Sequence, residues 1–592
     1  MSLPGTARWA VAAVALCAGA LAVGPRPALA AEDPREEKLK SRLDKVDEAL
    51  EAWDVEGARA ALAEVGSDGD DEAVLYFQGR IAFERGEYKK AIELLEKAGV
   101  QDRTGSYLRL AKDTLAVVEK YQRQESEHFI FEYPAGKDEV LAPYALETLE
   151  SQRRALLQDL GHAPSGKVRV EVVGNARELA KVSTLTLSQI RTTGTIAICK
   201  FNKLMVTSPK AVLKGYDWQD TLAHEYAHLV ISQKSKNTVP IWLHEGMAKY
   251  LESRWRGAAG LAMSPSTLAL LGSRVKKDRL IPFEKMHPSI ALLPTAEDAA
   301  TAFAEVFFAV DLIFKEQGTS GLQTIIGELS RGKTDRRAVE VATSRSFDAF
   351  EKAWLQHVKK QQFPRELIPL SDVKVVLRED APGKKKEDKK REIGFGDFKE
   401  VEEEEGRKFA HLGEVLREKG RHTAAAEEYG RAYRIVGDKY ESISNKYALA
   451  LLEVRRTEEA ERVLEGSLRV HPGSPYTNVH LGRIYLWRQE WSKARTAYLD
   501  ALSADPFDEE IHFALLRANT QLGNKALADR ARAAAMKLTG LTAEAVERVA
   551  QQLARPSPAP GGAGMGGTEA PAAGGGQGKG AAAGDAGSPE RN

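Results

Sequence analysis

His224 and His228, four residues apart with Glu225 beside the first, are the residues of this chain best suited to chemistry. On a helix, side chains at i and i+4 share a face, so both imidazoles can be offered to one zinc ion. Glu225 then projects beside that face, placed to take a proton from a metal-activated water without being a ligand. That division of labour is what the HExxH spacing encodes. A catalytic zinc needs three protein ligands and one open position. Glu245 is the candidate third ligand. Lys234 to Asn237 reads as a polar turn, Pro240 suits the first position of a second helix, and a returning helix brings Glu245 back to the histidines. Gly246 and Ala248, with little or no side chain, are expected to let these two helices pack closely.

The helix carrying the pair is predicted over residues 218 to 232. Asp217 suits its N-cap, Leu222, Tyr226, Leu229 and Val230 recur at three- and four-residue intervals, and no Gly or Pro interrupts. Upstream, Phe129 to Tyr133 and Val168 to Val173 have the β-branched and aromatic texture of strands, and residues 141 to 160 have helical spacing between them. Leu204-Met205-Val206-Thr207 is the last strand before the helix. Downstream, Ala299 to Gln317 is predicted helical, with Gly318 placed to stop it. Glu305 and Asp311 make it a core helix and not a membrane span. A final helix over residues 347 to 361 exits at Pro364 and Pro369.

Taken with the paired histidines, Trp242-Leu243-x-Glu245-Gly246-x-Ala248 resembles the gluzincin metallopeptidases, in particular the bacterial peptidase MA-like family, over roughly Ser126 to Gln361. The resemblance implies an α+β gluzincin-like domain with an N-terminal sheet. It also implies a Zn2+ ion held by His224, His228 and Glu245, Glu225 as the catalytic base, and hydrolysis of peptide bonds. In such enzymes the strand before the zinc helix commonly forms the sheet edge that holds an extended peptide, which makes residues 204 to 207 a candidate edge; an ordinary internal strand is the alternative. The chain departs from the pattern in three ways. No Tyr lies between Leu251 and Lys374, Phe303 and Phe307 stand where relatives place a tyrosine that stabilises the oxyanion, and Tyr250, His244 and His287 are the available substitutes. Lys249, four residues after Glu245, replaces an Asp that orients a zinc histidine in thermolysin-like enzymes, leaving the outer partner of His224 unassigned. No GxMEN-like segment is present to grip a free amino terminus. The second reading is therefore a zinc-binding pseudopeptidase that serves as a scaffold.

All-α repeat segments flank this domain. Gly79, Ala82, Gly86, Tyr88, Ala91, Leu95 and Ala98 fall at the offsets of a tetratricopeptide (TPR) repeat. The 34-residue period returns through Gly413, Ala425, Tyr429 and Ala432, then Ala448, Ala460, Leu464 and Pro472, then Gly482, Ala494, Tyr498 and Ala501, then Leu516, Ala528 and Ala535. Such arrays commonly bind a partner protein or an extended peptide on the concave face. Arg8, the apolar run Trp9 to Val23 and Ala28-Leu29-Ala30 read as a cleaved secretory leader, which implies an exported, periplasmic or secreted chain starting near Ala31. Only Cys199 then remains, as a packed thiol, so no intramolecular disulfide can form. Equal numbers of basic and acidic residues, 85 each, give no net field to attract nucleic acid. The predicted organisation is a leader over 1–30, a TPR-like region over 31–124 and the metallopeptidase-like domain over 125–365. A charged linker over 366–405 follows, then about four repeats over 406–540, and a short helix with a disordered Gly/Ala/Pro-rich tail over 541–592, with no transmembrane span in the mature chain.

Overall fold

The computed structural model describes residues 34–65, 71–260, 263–287, 289–290, 293–364 and 398–555. The leader, most of the charged linker and the Gly/Ala/Pro-rich tail predicted above lie outside them. Five helices come first: α1 (Pro34–Glu51), α2 (Val55–Ala63), α3 (Glu72–Glu84), α4 (Tyr88–Lys97) and α5 (Tyr107–Val118). The small-against-large pairing of a repeat is visible at Gly79, where an added Cβ would stand 2.6 Å from the Leu95 side chain. Only a glycine lets α3 and α4 approach so closely.

A five-stranded sheet follows, built from β1 (Gln122–Glu125), β2 (Phe129–Tyr133), β3 (Val168–Val173), β4 (Ala197–Lys200) and β5 (Lys203–Thr207) in the order β1-β2-β3-β5-β4. β2, β3 and β5 are parallel, and β1 and β4 are antiparallel edge strands. The strand before the zinc-type helix, β5, is therefore internal, and the edge expected at residues 204 to 207 lies at β4. The cause is local. Phe201 and Asn202 both adopt φ 55°, the left-handed pair of a two-residue hairpin, which folds β4 back along the outside of β5. A phenylalanine in that region is uncommon. Here its ring is held edge-on by Phe83 at 5.2 Å and Tyr107 at 6.0 Å.

The helices of this domain are α6 (Ala142–Leu160), α7 (Ala176–Val182), α8 (Leu187–Thr193), α9 (Trp218–Ser235), α10 (Ile241–Leu251), α11 (Pro265–Lys276), α12 (Ala296–Ser330), α13 (Asp335–Thr343) and α14 (Phe347–Lys359). α9 runs three residues past its predicted end and stops at Lys236 in the left-handed conformation. Pro240 caps α10 from outside instead of opening it. Gly318 (φ 61°) breaks the backbone as expected, but the chain resumes helix beyond it.

The C-terminal array pairs α15 (Glu404–Glu418) with α16 (His422–Val436), α17 (Glu441–Glu453) with α18 (Thr457–Val470), α19 (Pro475–Trp487) with α20 (Trp491–Leu502) and α21 (Glu509–Gln521) with α22 (Lys525–Thr539), and α23 (Ala543–Leu553) closes it. Gly413 against Tyr429 and Gly482 against Tyr498 repeat the contact seen at Gly79 and Leu95. Phe398 and Val401, at the end of the charged stretch, are fully buried in the first of these repeats.

The repeats and the sheet domain share apolar packing. One continuous core runs from Phe83 and Leu95 through the strands, α9 and α12 to Tyr498, Ile511 and Leu516 of the array. Polar contacts fasten both joins. On the N-terminal side the buried Lys203 ammonium lies 2.8 Å from the buried Glu171 carboxylate and donates to the Tyr88 hydroxyl at 2.9 Å, while that hydroxyl donates to Glu171. On the C-terminal side the Trp218 backbone N–H donates to Ser503 O and its indole N–H to Leu502 O, both at 3.1 Å. No helix among the described residues is long and apolar enough to cross a membrane.

Candidate metal centre

α9 presents His224 and His228 on one face, as the i, i+4 spacing requires. Its start is fixed by Asp217, whose carboxylate accepts from the Asp220 N–H at 3.3 Å. α10 returns antiparallel across it. Gln152 of α6 ties the two together, donating to Leu251 O at 2.9 Å and to Ala223 O at 3.4 Å. Trp242 anchors α10 from the other side: its indole N–H donates to Asp335 at 2.8 Å and its ring stacks on Phe283 at 4.4 Å. The close approach at Gly246 is made to α12 and not, as expected, to α9. A Cβ there would stand 2.7 Å from the Val306 carbonyl oxygen. The glycine lets α10 lie directly on the backbone of α12, and this fixes the depth at which the neighbouring Glu245 enters the site.

His224, His228 and Glu245 each offer one ligand atom, all within 4.8 Å of one another. The two Nε2 atoms are 3.0 Å apart, and Glu245 Oε2 is 3.6 Å and 3.5 Å from them. All three residues are at most 5 % exposed. Glu245 Oε2 and both Glu225 oxygens are buried without a hydrogen-bond partner. Unpaired buried carboxylate oxygens are costly, so their convergence beside two imidazoles fits a cation. Two nitrogen donors and one carboxylate are the donor set of a catalytic zinc.

Burial and the site's own charges shift each of these groups. Burial would raise the Glu245 carboxyl, but His228 and His224 pull it down to about 2. Burial pushes Glu225 up to about 8, against the pull of His224 and with the added push of Glu245. Burial would lower His224, but Glu245 and Glu252 hold it up at about 9. His228 lies below its usual range, chiefly through burial. Cys199 is packed as expected, with burial and then the Glu225 charge holding its thiol far above the usual range.

The sequence left the outer partner of His224 open. It is Glu252, whose Oε2 is 3.1 Å from His224 Nδ1 and whose Oε1 accepts from Lys249 at 2.5 Å. Its position, seven residues after Glu245 on the same face of α10 and its end, was the available signal. The proposed stand-ins for an oxyanion donor are otherwise engaged. The Tyr250 hydroxyl keeps its proton through burial and then the nearby Asp311 charge, and its ring packs between Phe307 and Phe314. His287 is exposed at the end of a short 3₁₀ turn. His244 faces His228, and Phe303 and Phe307 are buried. Tyr216, in the loop before α9, went unremarked in the sequence. It is buried, donates to Thr207 O, and has the Glu225 charge among the causes holding its hydroxyl proton, after burial.

Fold and site together define a mostly helical metallopeptidase-like architecture with a small sheet and TPR repeats at both ends. Residues 151–360 match the Peptidase MA superfamily, and residues 43–104 and 451–519 match tetratricopeptide repeat families. A curated relative, the uncharacterized protein YhcO of Bacillus subtilis (strain 168), is 23% identical over 286 residues, 45% of this chain and 81% of that protein. Among solved structures, MamA (AMB-1) is similar over 25% of this chain and 83% of its own at 19% identity and TM-score 0.22. Native yeast LTA4 hydrolase is similar over 69% and 66% at 12% identity and TM-score 0.27. At such TM-scores neither structure lends this chain any property.

Proposed function

We propose that this protein is a zinc-dependent endopeptidase, exported through the leader that ends near Ala30, which hydrolyses peptide bonds of protein substrates while its repeats dock substrate or a partner protein. The observation that carries the reading is the convergence of His224, His228 and Glu245 beside the fully buried Glu225 carboxylate. His224, His228 and Glu245 would hold the ion, and a zinc ion bound there would supply Lewis-acid polarisation of a carbonyl and acidify water for attack near neutral pH. Glu225 accepts the proton of the attacking water and delivers it to the leaving amine. Glu252 keeps His224 turned with its Nε2 toward the site. β4 is the edge strand of the sheet on the β5 side, the position at which an extended peptide would add a strand.

Purified protein should contain one zinc per chain and degrade an unstructured protein, and Glu225→Ala should keep the zinc and lose the degradation. Zinc-loaded protein that is inert in both forms would leave the second reading, a zinc-binding scaffold. The phenyl rings of Phe303 and Phe307 favour that reading, because neither donates to a developing oxyanion. For export, intact-mass measurement should find the mature chain beginning at Ala31.

A further inference from the structure

Behind His228 lies a polar chain that the metal ligands alone do not account for. His228 Nδ1 is 2.5 Å from His244 Nδ1, and His244 Nε2 is 3.0 Å from Ser232 Oγ. The two imidazole planes are within 6° of parallel with centroids 4.5 Å apart. At this nitrogen separation one proton lies between the two nitrogens. All three residues are at most 3 % exposed, which leaves water no part in fixing that proton. The chain of bonds admits two proton arrangements. In one, Ser232 donates to His244, His244 donates to His228, and the His228 proton sits on Nε2. In the other, His228 donates from Nδ1, His244 donates from Nε2 to Ser232, and His228 Nε2 keeps its lone pair. Only the second can ligate a metal at the atom that faces His224 and Glu245.

We propose that His244 and Ser232 are positioning residues that take up the Nδ1 proton of His228, so that its metal-binding tautomer keeps a full set of hydrogen bonds and its ring is held in place. In this chain a neutral imidazole and a hydroxyl do for His228 what the Glu252 carboxylate does for His224. Because the partner is neutral, His228 is oriented without a further negative charge at the site. The proposal rests on the zinc reading above but fails separately from it.

The test measures zinc affinity of the full chain by competition with a chromophoric chelator, together with the visible absorption of the cobalt(II)-loaded protein. His244→Phe keeps the ring and removes the acceptor, and His244→Asn restores an acceptor in a smaller side chain. The expected results are a zinc Kd raised 10- to 100-fold with a weakened cobalt spectrum for His244→Phe, and a return to within about threefold of wild type with a normal spectrum for His244→Asn. Ser232→Ala, which deletes one hydroxyl and preserves the packing, should raise the Kd severalfold. A His244→Phe protein that binds zinc as wild type does overturns the proposal, as does equal weakening by Phe and Asn, which would mark a packing role only. Should His244→Phe fail to fold, an unchanged Kd for Ser232→Ala overturns it instead. Wild-type protein that takes up no zinc refutes the metal reading itself, a different result.

Discussion

Gly246→Ala separates two effects that usually travel together, stability and metal geometry. Alanine is favoured over glycine inside a helix by about 1 kcal/mol. Against this, the new Cβ would sit 2.7 Å from Val306 O and 2.9 Å from a Val310 methyl, where ordinary contact begins near 3.4 Å. The nearer atom is helix backbone and cannot swing aside, so α10 must retreat by about 0.7 Å, an overpacking cost of about 1–3 kcal/mol. The two terms nearly offset, and the melting temperature of the metal-free protein should fall by only a few degrees. Glu245 precedes this residue and moves with the helix. Metal sites tolerate displacements of about 0.2 Å in ligand distance, so a retreat several times larger should raise the zinc Kd by at least about tenfold, or about 1.4 kcal/mol. Thermal melts of the metal-free protein and chelator competition of the loaded one measure the two quantities. Unchanged affinity in a protein of unchanged stability would refute the idea that the seat of α10 on α12 sets the reach of Glu245.

Other perturbations follow from the same geometry. Lys203→Ala strands the Glu171 carboxylate in the core and should cost about 3–5 kcal/mol, whereas Tyr88→Phe removes one hydroxyl and should cost about 1–3 kcal/mol; urea midpoints give the order, and a milder Lys203 variant would contradict the buried pairing. His512 is buried against Pro506 O, and burial lowers it to about 4, below its unfolded value near 6.5. The stability this provides is complete above pH 6.5 and is lost as pH falls toward 4, up to about 3 kcal/mol. The drop in urea midpoint between pH 7 and 5 should shrink in His512→Gln. Trp218→Phe, which orphans the Leu502 carbonyl, should lower stability by about 1–3 kcal/mol; a melting temperature equal to wild type would show the indole bond to be idle.

The parts of the site that obey local periodicity were legible in the sequence. The i, i+4 face of α9, its Asp217 cap and the return of Glu245 on a second helix follow from spacing and turn chemistry within thirty residues. What stayed hidden depends on partners distant in the chain. β4 becomes the edge because Phe201 can hold a left-handed conformation, and it can do so because Phe83 and Tyr107, about a hundred residues upstream, wedge its ring. Gly246 was read correctly as a residue of close approach but matched to the wrong helix, since a missing side chain does not name what fills its place. His244 was weighed as an oxyanion donor because sequence gives its distance along α10 but not the turn of its ring toward His228.

The array lays its own backbone carbonyls on the first turn of the helix that carries both histidines, and its apolar residues complete a core begun in the N-terminal repeats. A protein trimmed at the end of the matched superfamily segment would thus expose an unroofed indole and the part of the hydrophobic interior that the array covers to water. The repeats are part of the foldable unit, and a minimal active fragment, if one is sought, has to be cut after α23 and not before α15.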